Sequence, residues 1–140
     1  MNINFIGLIA ALTAFFSIWM GHVLVRKIER HSNSIKFPAA CFVIIGIFLQ
    51  IGSFLSASSI LSTTLGIFSM TTIWDSFELF RQQKRVIKGR SPANPSNPRH
   101  AQILKQHQSA TTVDLLKRDP VGYLVNVDDA LNLAAKKGKL

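Results

Sequence analysis

Two long uncharged stretches dominate the pattern of apolar and polar positions along the chain. Residues 1–25 contain no Asp, Glu, Lys or Arg, and neither do residues 37–74. A helix needs about 20 apolar residues to cross the hydrocarbon core of a bilayer, so the first stretch predicts one span. The second is too long for one span and is interrupted by small polar residues at 52–59, which predicts spans at about 37–55 and 58–80. The expected fold is therefore all-α, with three transmembrane helices.

A soluble helical bundle with long core helices is the alternative interpretation of these stretches. Surface helices of soluble proteins carry a charged face, and uncharged runs of this length would be unusual for them. The first stretch also lacks the basic segment that precedes the apolar part of a secretory signal, so we interpret it as an uncleaved span.

The basic residues predict the orientation of the spans. All sixteen Lys and Arg residues lie within residues 26–36 or after residue 80. Cytoplasmic loops of membrane proteins are enriched in Lys and Arg. Three spans with an external N-terminus and a cytoplasmic C-terminus place every basic residue on the cytoplasmic side.

The sequence divides the chain into three predicted parts. Residues 1–90 are predicted to form the membrane domain, whose third span continues as an amphipathic juxtamembrane helix ending near Gly89. Residues 91–100 are a Pro-rich linker, and residues 101–140 are a basic cytoplasmic tail, partly disordered or ordered by a partner, with too few apolar residues for its own core. The juxtamembrane residues expected to contact anionic lipid headgroups are Arg81, Lys84, Arg85 and Lys88.

Small residues recur along each predicted span. Such residues let helix backbones approach closely in lipid. They either pack the three helices of the chain on one another or face another subunit, and the sequence leaves both open. The candidates for helix packing are Gly7, Ala14, Gly21, Gly46 and Gly66.

Few side chains near the predicted membrane can carry chemistry. His22 and Glu78 fall at similar depth near the cytoplasmic ends of their spans, and Gln50 is a polar residue inside the second span. These three are candidates for an ion or proton pathway. The alternative is that His22 and Glu78 reach water or pair to fix the helices. His22 is the only histidine inside a span, so a haem with two axial ligands is disfavoured, and we expect no metal, cofactor or catalytic motif.

Several motifs resemble a family of short prokaryotic membrane proteins catalogued as domain of unknown function 4491. The resemblance covers about residues 3–98 and implies a three-span protein of the prokaryotic cytoplasmic (inner) membrane, with no activity assigned. Departures are Val23 after the histidine and Arg90-Ser91 after the glycine. The matching motifs are Trp74-Asp75-Ser76-Phe77-Glu78-Leu79-Phe80, Lys84-Arg85-Val86, Lys88-Gly89, Asn94-Pro95, Gly7, His22, Phe37-Pro38 and Leu65-Gly66-Ile67-Phe68.

The sequence thus predicts a non-enzymatic membrane protein that self-associates or docks on a larger membrane complex. The alternative is a small oligomeric channel or carrier for protons or a cation that uses His22 and Glu78. The basic tail has one aromatic residue, Tyr123, and so lacks a stacking platform for bases. Anionic lipid headgroups, rather than nucleic acid, are the expected partner of its positive charge.

Overall fold

A computed structural model describes residues 5–114 of the 140-residue chain. Within that range the protein is all-helical, as predicted. The tail beyond residue 114, including most of the predicted segment 101–140, lies outside the described residues. The helices are α1 (Ile6–His31), α2 (Lys36–Leu55), α3 (Ser59–Ile87) and α4 (Pro98–Gln106).

Helices α2 and α3 form an antiparallel hairpin held by small residues. Ala39, Gly46 and Ser53 lie seven positions apart on α2 and are all buried. The Ser69 hydroxyl donates a hydrogen bond to the Gly46 carbonyl over 2.8 Å, and the Ser53 hydroxyl donates to the Ser62 carbonyl over 2.7 Å. The small residues of α2 and α3 therefore serve packing inside the chain.

Helix α1 packs along the other side of α3 through one residue in every four. Gly21 lies against the Asp75 carboxylate, whose oxygens occupy the space that a Cβ atom would need. Asp75 thus faces α1. The buried row on α1 is Thr13, Ser17, Gly21, Val25 and Glu29.

The three long helices meet at the end where the basic residues begin. Val25 of α1, Ala39 of α2 and Leu79 of α3 form one buried apolar cluster. Because Gly21 meets Asp75 and Val25 meets Leu79, α1 and α3 run in the same direction. The C-terminal ends of α1 and α3 therefore lie at the same end of the three-helix arrangement.

Two of the described helices, α1 and α2, are long and apolar enough to cross a membrane. Helix α3 does not meet the same test because its first half is rich in Ser and Thr and because Asp75 and Glu78 follow. Its 29 residues continue without interruption to Ile87, so the predicted third span and the predicted juxtamembrane segment are one helix.

A compact cap, residues 90–111, folds back over the ends of α1 and α3. Gly89 ends α3 with a φ of +68°, a conformation that side chains other than glycine rarely adopt. The carbonyl oxygen of Ser109 lies where a Cβ of residue 89 would be. Val86, Ala93 and Ile103 form the small apolar core of the cap.

The cap changes the predicted organisation of the chain. Residues 91–100, interpreted from the sequence as a linker, contact α1 directly, and the boundary expected after residue 100 falls inside α4. Residues beyond α4 also pack, since the Ala93 amide donates to the Thr111 carbonyl over 2.8 Å. The prolines that exclude a helix at 92–95 serve to turn the chain back.

Candidate functional site

A buried carboxylate, Glu29, lies at the junction of α1 and the cap. It continues the buried row of α1 and is 1% exposed. Both terminal nitrogens of Arg99 lie 3.1 Å from Glu29 Oε1. The Nε2 atom of His100, which is fully buried, lies 3.0 Å from the same oxygen. One acidic side chain of α1 therefore holds two side chains of the first turn of α4.

The hydrogen bonds around His100 fix which ring nitrogen carries the proton. The Asn94 amide donates to Nδ1 over 2.9 Å, so Nδ1 acts as an acceptor. The proton is then on Nε2, which donates to Glu29 Oε1. Nε2 also lies 2.9 Å from an Arg99 nitrogen, and Arg99 supplies the positive charge that pairs with Glu29.

The cap also binds the carbonyl groups at the C-terminal end of α1. These carbonyls have no partner inside the helix and need donors from elsewhere. The Asn97 side-chain amide donates to the carbonyls of Arg30, over 3.1 Å, and Ser32, over 3.0 Å. Asn94 donates to the Arg30 carbonyl over 3.2 Å, and Arg99 donates to the carbonyls of Glu29 and Ser32. Residues of the cap, which lie far along the chain from α1, therefore supply the hydrogen-bond donors that end α1.

Asn97 has a second role at the start of α4. Its side-chain oxygen accepts a hydrogen bond from the Arg99 amide over 3.0 Å, and Pro98 occupies the first helical position. Asn before Pro is a favourable start for a helix. One asparagine thus ends α1 and begins α4, which fixes the two helices relative to each other.

A large cleft of about 690 Å³ opens beside this junction. Three basic residues of α1 line it, together with Arg85 of α3 and Arg90 of the cap. Glu29 and Asp114 are the acidic residues in its lining. The cleft is thus strongly basic. The three basic residues from α1 are Arg26, Lys27 and Arg30.

A small cleft of about 150 Å³ lies between α1 and α3 and contains two of the predicted pathway residues. His22 and Glu78 both line it, together with Arg26 and Arg85. The Glu78 carboxylate is 4% exposed and lies 2.9 Å from an Arg85 nitrogen. Its other oxygen lies 3.5 Å from Arg81. Glu78 is therefore already balanced by arginines of its own helix.

Gln50, the third predicted pathway residue, lies elsewhere. The hydrogen bonds of the hairpin place residue 50 opposite residue 65, which is 13 positions before Glu78. At 1.5 Å per residue this is about 20 Å along α3. The structure brings His22 and Glu78 together and leaves Gln50 apart.

The glycines proposed for helix packing have different surroundings. Gly21 and Gly46 lie in contacts within the chain, and Gly66 lies beside the Ser53 hydroxyl. Ala14 is half-buried on α1. Among residues 5–114, a Cβ atom on Gly7 would meet nothing within 4 Å, so the Gly7 surface is open to the described part of the chain.

The residues expected to contact lipid headgroups also divide into two groups. Arg81, Lys84 and Lys88 are exposed on α3. Arg85 is half-exposed, pairs with Glu78 and donates to the Gln82 side chain over 3.1 Å. Among residues 5–114, no three His, Cys, Asp or Glu side chains are grouped as a metal site.

Sequence reasoning missed the residues at the junction. Glu29 follows Val25 by four positions, and this spacing continues the buried row of α1 into its basic end. The Asn97-Pro98 pair is a recognisable helix start. These two local signals were available, but neither indicates that Glu29 binds Arg99 and His100.

The comparisons with known proteins give one family. A family whose description reads "Domain of unknown function (DUF4491)" matches residues 4–97. The match ends at the asparagine that caps α1, so it covers the three long helices and the turn that meets them. No curated protein and no solved structure matches the chain.

Proposed function

Because the chain belongs to the DUF4491 family, for which no activity is assigned, we propose its role from its own geometry. We infer a non-enzymatic, three-span integral protein of a prokaryotic cytoplasmic (inner) membrane. In this proposal it acts as an interaction subunit. It associates with itself or with a larger membrane complex through the N-terminal part of α1. Its remaining surface faces lipid, with anionic headgroups at the basic end and no nucleic-acid partner.

The hairpin supports a third span. Helix α3 lies antiparallel along α2, from Ser62 opposite Ser53 to beyond Ser69 opposite Gly46. If α2 crosses a membrane, α3 crosses it alongside. Hydroxyl groups on α3 donate to carbonyls of the preceding turn, which lowers the cost of placing them in lipid. Such bonds run from Thr63 to Ser59, from Thr64 to Ile60 and from Thr71 to Ile67.

The positions of the basic residues support a cytoplasmic C-terminus. The cap binds the carbonyls of Arg30 and Ser32, so the basic end of α1 and the basic end of α3 lie together. Both therefore face the same side of a membrane. The enrichment of Lys and Arg on the cytoplasmic side then assigns this side to the cytoplasm.

The observation that carries the interaction role is the open surface at the start of α1. Gly7 and Ala11 are exposed and one helical turn apart, whereas the buried row of α1 that packs on the chain begins at Thr13. A small residue every four positions lets a second helix approach closely in lipid. Gly46 and Gly66, by contrast, are already occupied inside the chain.

Substituting Gly7 by leucine is expected to disrupt association while leaving insertion and helix content unchanged. The larger side chain keeps a second helix away from the α1 backbone, and it breaks no contact among the residues that the structure describes. The measurement is blue-native electrophoresis of the full chain after mild-detergent extraction at native expression, with mass spectrometry of everything that co-migrates.

Ala40→Leu is the matched control, because Ala40 is exposed on α2 and the substitution adds similar bulk to a lipid-facing surface. The control should migrate like the wild type. Wild-type protein that migrates as a partner-free monomer, or a Gly7→Leu variant that retains its partners, would show the interaction role to be wrong.

A proton or cation channel is the second candidate, and the small cleft is the observation that favours it. His22 and Glu78 line one cavity at the basic end of the helices. The arginines around Glu78 make this cavity a poor site for a cation, which is why we place this function second. Proton flux through liposomes containing the purified protein, above that of empty liposomes, would establish it.

A further inference from the structure

The large cleft collects positive charge from three separate elements. Arg26, Lys27 and Arg30 come from the last turns of α1, Arg85 from α3 and Arg90 from the start of the cap. These elements are brought together only by the fold, since α1 and the cap are joined through Glu29 and the carbonyls of the α1 terminus. Arg85 is paired with Glu78, and the convergence of the other four cations on one cavity costs repulsion, which an anion in the cavity would relieve.

The acidic residues at the cleft do not balance this charge. Glu29 is buried and directed to Arg99 and His100 on the far side of the junction. Asp114 adds at most one negative charge to the lining, against the four cations that do not pair with Glu78. Within the described range, Lys27, Arg30 and Arg90 take part in no ion pair, so their charges face the cavity or solvent.

These cations are also not needed as caps of α1. Basic residues near a helix C-terminus commonly serve the free carbonyls and the helix dipole. Here Asn94, Asn97 and Arg99 already bind the terminal carbonyls of α1. The basic side chains that line the cleft are therefore available to a ligand.

The backbone that carries the cations is well fixed. The carbonyl of Arg30 accepts hydrogen bonds from two asparagines of the cap. The Arg90 amide donates to the Arg85 carbonyl over 2.8 Å in the turn that Gly89 makes possible. A site whose residues are already positioned loses less entropy on binding.

The size and position of the cleft limit the kinds of ligand that it can bind. A volume of about 690 Å³ is within the range of small-molecule sites and is much larger than a phosphate ion needs. The lining begins at Val23, near the end of the uncharged part of α1, and extends outward to the cap. A ligand in the cleft can therefore reach either the membrane surface or the aqueous phase.

We propose that the large cleft binds a phosphate-bearing anion that also carries a polar body, with the phosphate held by Lys27, Arg30 and Arg90. Guanidinium groups bind phosphate oxygens in pairs, and a lysine adds a point charge. The source is either the headgroup of an anionic lipid or a soluble phosphate ester, and both offer the same group to the cleft. This inference does not depend on the interaction role proposed above.

The experiment uses the full chain in nanodiscs of phosphatidylcholine. In one arm, glycerol 3-phosphate is titrated by calorimetry. In the other, phosphatidylglycerol is added to the nanodiscs, and the lipids that stay bound after detergent extraction are identified by native mass spectrometry. Binding in the first arm identifies a soluble ester, and preferential retention of phosphatidylglycerol in the second identifies a headgroup.

The test variant is Lys27→Gln/Arg90→Gln, and the control is Lys36→Gln/Lys105→Gln. Both remove two exposed positive charges, but the control residues neither line the cleft nor belong to the residues expected to contact lipid headgroups. We expect the test variant to bind at least about tenfold more weakly and the control to stay within about threefold of the wild type.

Equal losses in the two variants would assign binding to overall charge and overturn the proposal. Wild-type protein that binds no glycerol 3-phosphate and retains phosphatidylglycerol no better than phosphatidylcholine would also overturn it. If the double variant does not fold, Arg90→Gln alone decides, because Arg90 lies outside the helices. A loss of about threefold in this single variant supports the site, and unchanged binding contradicts it.

Discussion

Glu29→Ala is expected to release the cap from α1 and α3 without unfolding the three long helices. The substitution leaves His100 buried without an acceptor at Nε2 and leaves the Arg99 charge without its carboxylate. Removing one partner of a buried ion pair costs about 3 kcal/mol. Because the cap has only a small apolar core, this loss falls on its attachment to α1. It corresponds to roughly a hundredfold increase in the population of the open cap.

Limited trypsin digestion of the solubilised full chain measures this opening. Cleavage after Arg99 and Lys105, which lie in α4, requires the cap to open. Arg30→Gln is the control, since the Arg30 side chain faces the large cleft and only its carbonyl binds the cap. Equal cleavage rates in Glu29→Ala and wild-type protein would contradict the role assigned to Glu29.

The second large effect is expected at Gly46, where Gly46→Ala should destabilise the α2–α3 hairpin. The new Cβ would collide with Ile73 and lie 3.1 Å from the Ser69 carbonyl oxygen. Separating the helices also weakens the hydrogen bond from Ser69 to residue 46. Forcing an extra carbon into a packed contact costs about 2 kcal/mol, after allowing for the better helix propensity of alanine.

Gly52→Ala is the matched control on the same helix. Its Cβ would meet Leu65 at an ordinary distance of 3.5 Å, so the gain in helix propensity should leave the hairpin equally stable or slightly more stable. Unfolding by increasing SDS, followed by the fluorescence of Trp74 next to Ile73, compares the two. If Gly46→Ala protein unfolds at the same SDS fraction as Gly52→Ala protein, the contact between α2 and α3 at Gly46 is not tightly packed.

The helices themselves could be predicted because their signals are local. Uncharged stretches predicted the apolar helices, small residues such as Gly46 marked a packing face, and Gly89 marked the end of α3. Each signal depends on residues within a few turns of one another. The sequence could not decide whether the packing face meets its own chain or another, because that depends on the partner helix.

The cap could not be predicted because its contacts join residues far apart in the chain. Arg99 binds Glu29 across 70 positions, and nothing near Glu29 distinguishes it from an exposed acidic residue in a basic segment. The prolines correctly excluded a helix, but they were interpreted as a linker. An extended segment and a segment that turns back look alike until the polar groups it must satisfy are known.

The candidate site was predicted in part. Similar depth near the ends of their predicted spans suggested that His22 and Glu78 could be neighbours, and both line the small cleft. Their use in an ion or proton pathway stays a prediction. The depth of Gln50 along α2 was not resolved by sequence, because the register of the hairpin depends on the Ser53–Ser62 and Gly46–Ser69 contacts. The large cleft was missed because Arg90 joins the basic residues of α1 only through the cap.

The central claim is that α1, α2 and α3 all cross the membrane, with the cap and the large cleft in the cytoplasm. Single cysteines at Asn33, Ala57 and Gln108, in a Cys41→Ala background, test it in right-side-out and inverted membrane vesicles. All three positions are exposed and lie outside the helices. A membrane-impermeant maleimide should label Ala57→Cys only in right-side-out vesicles, and Asn33→Cys and Gln108→Cys only in inverted ones. Labelling of Ala57→Cys from the same side as Asn33→Cys would contradict the three-span account.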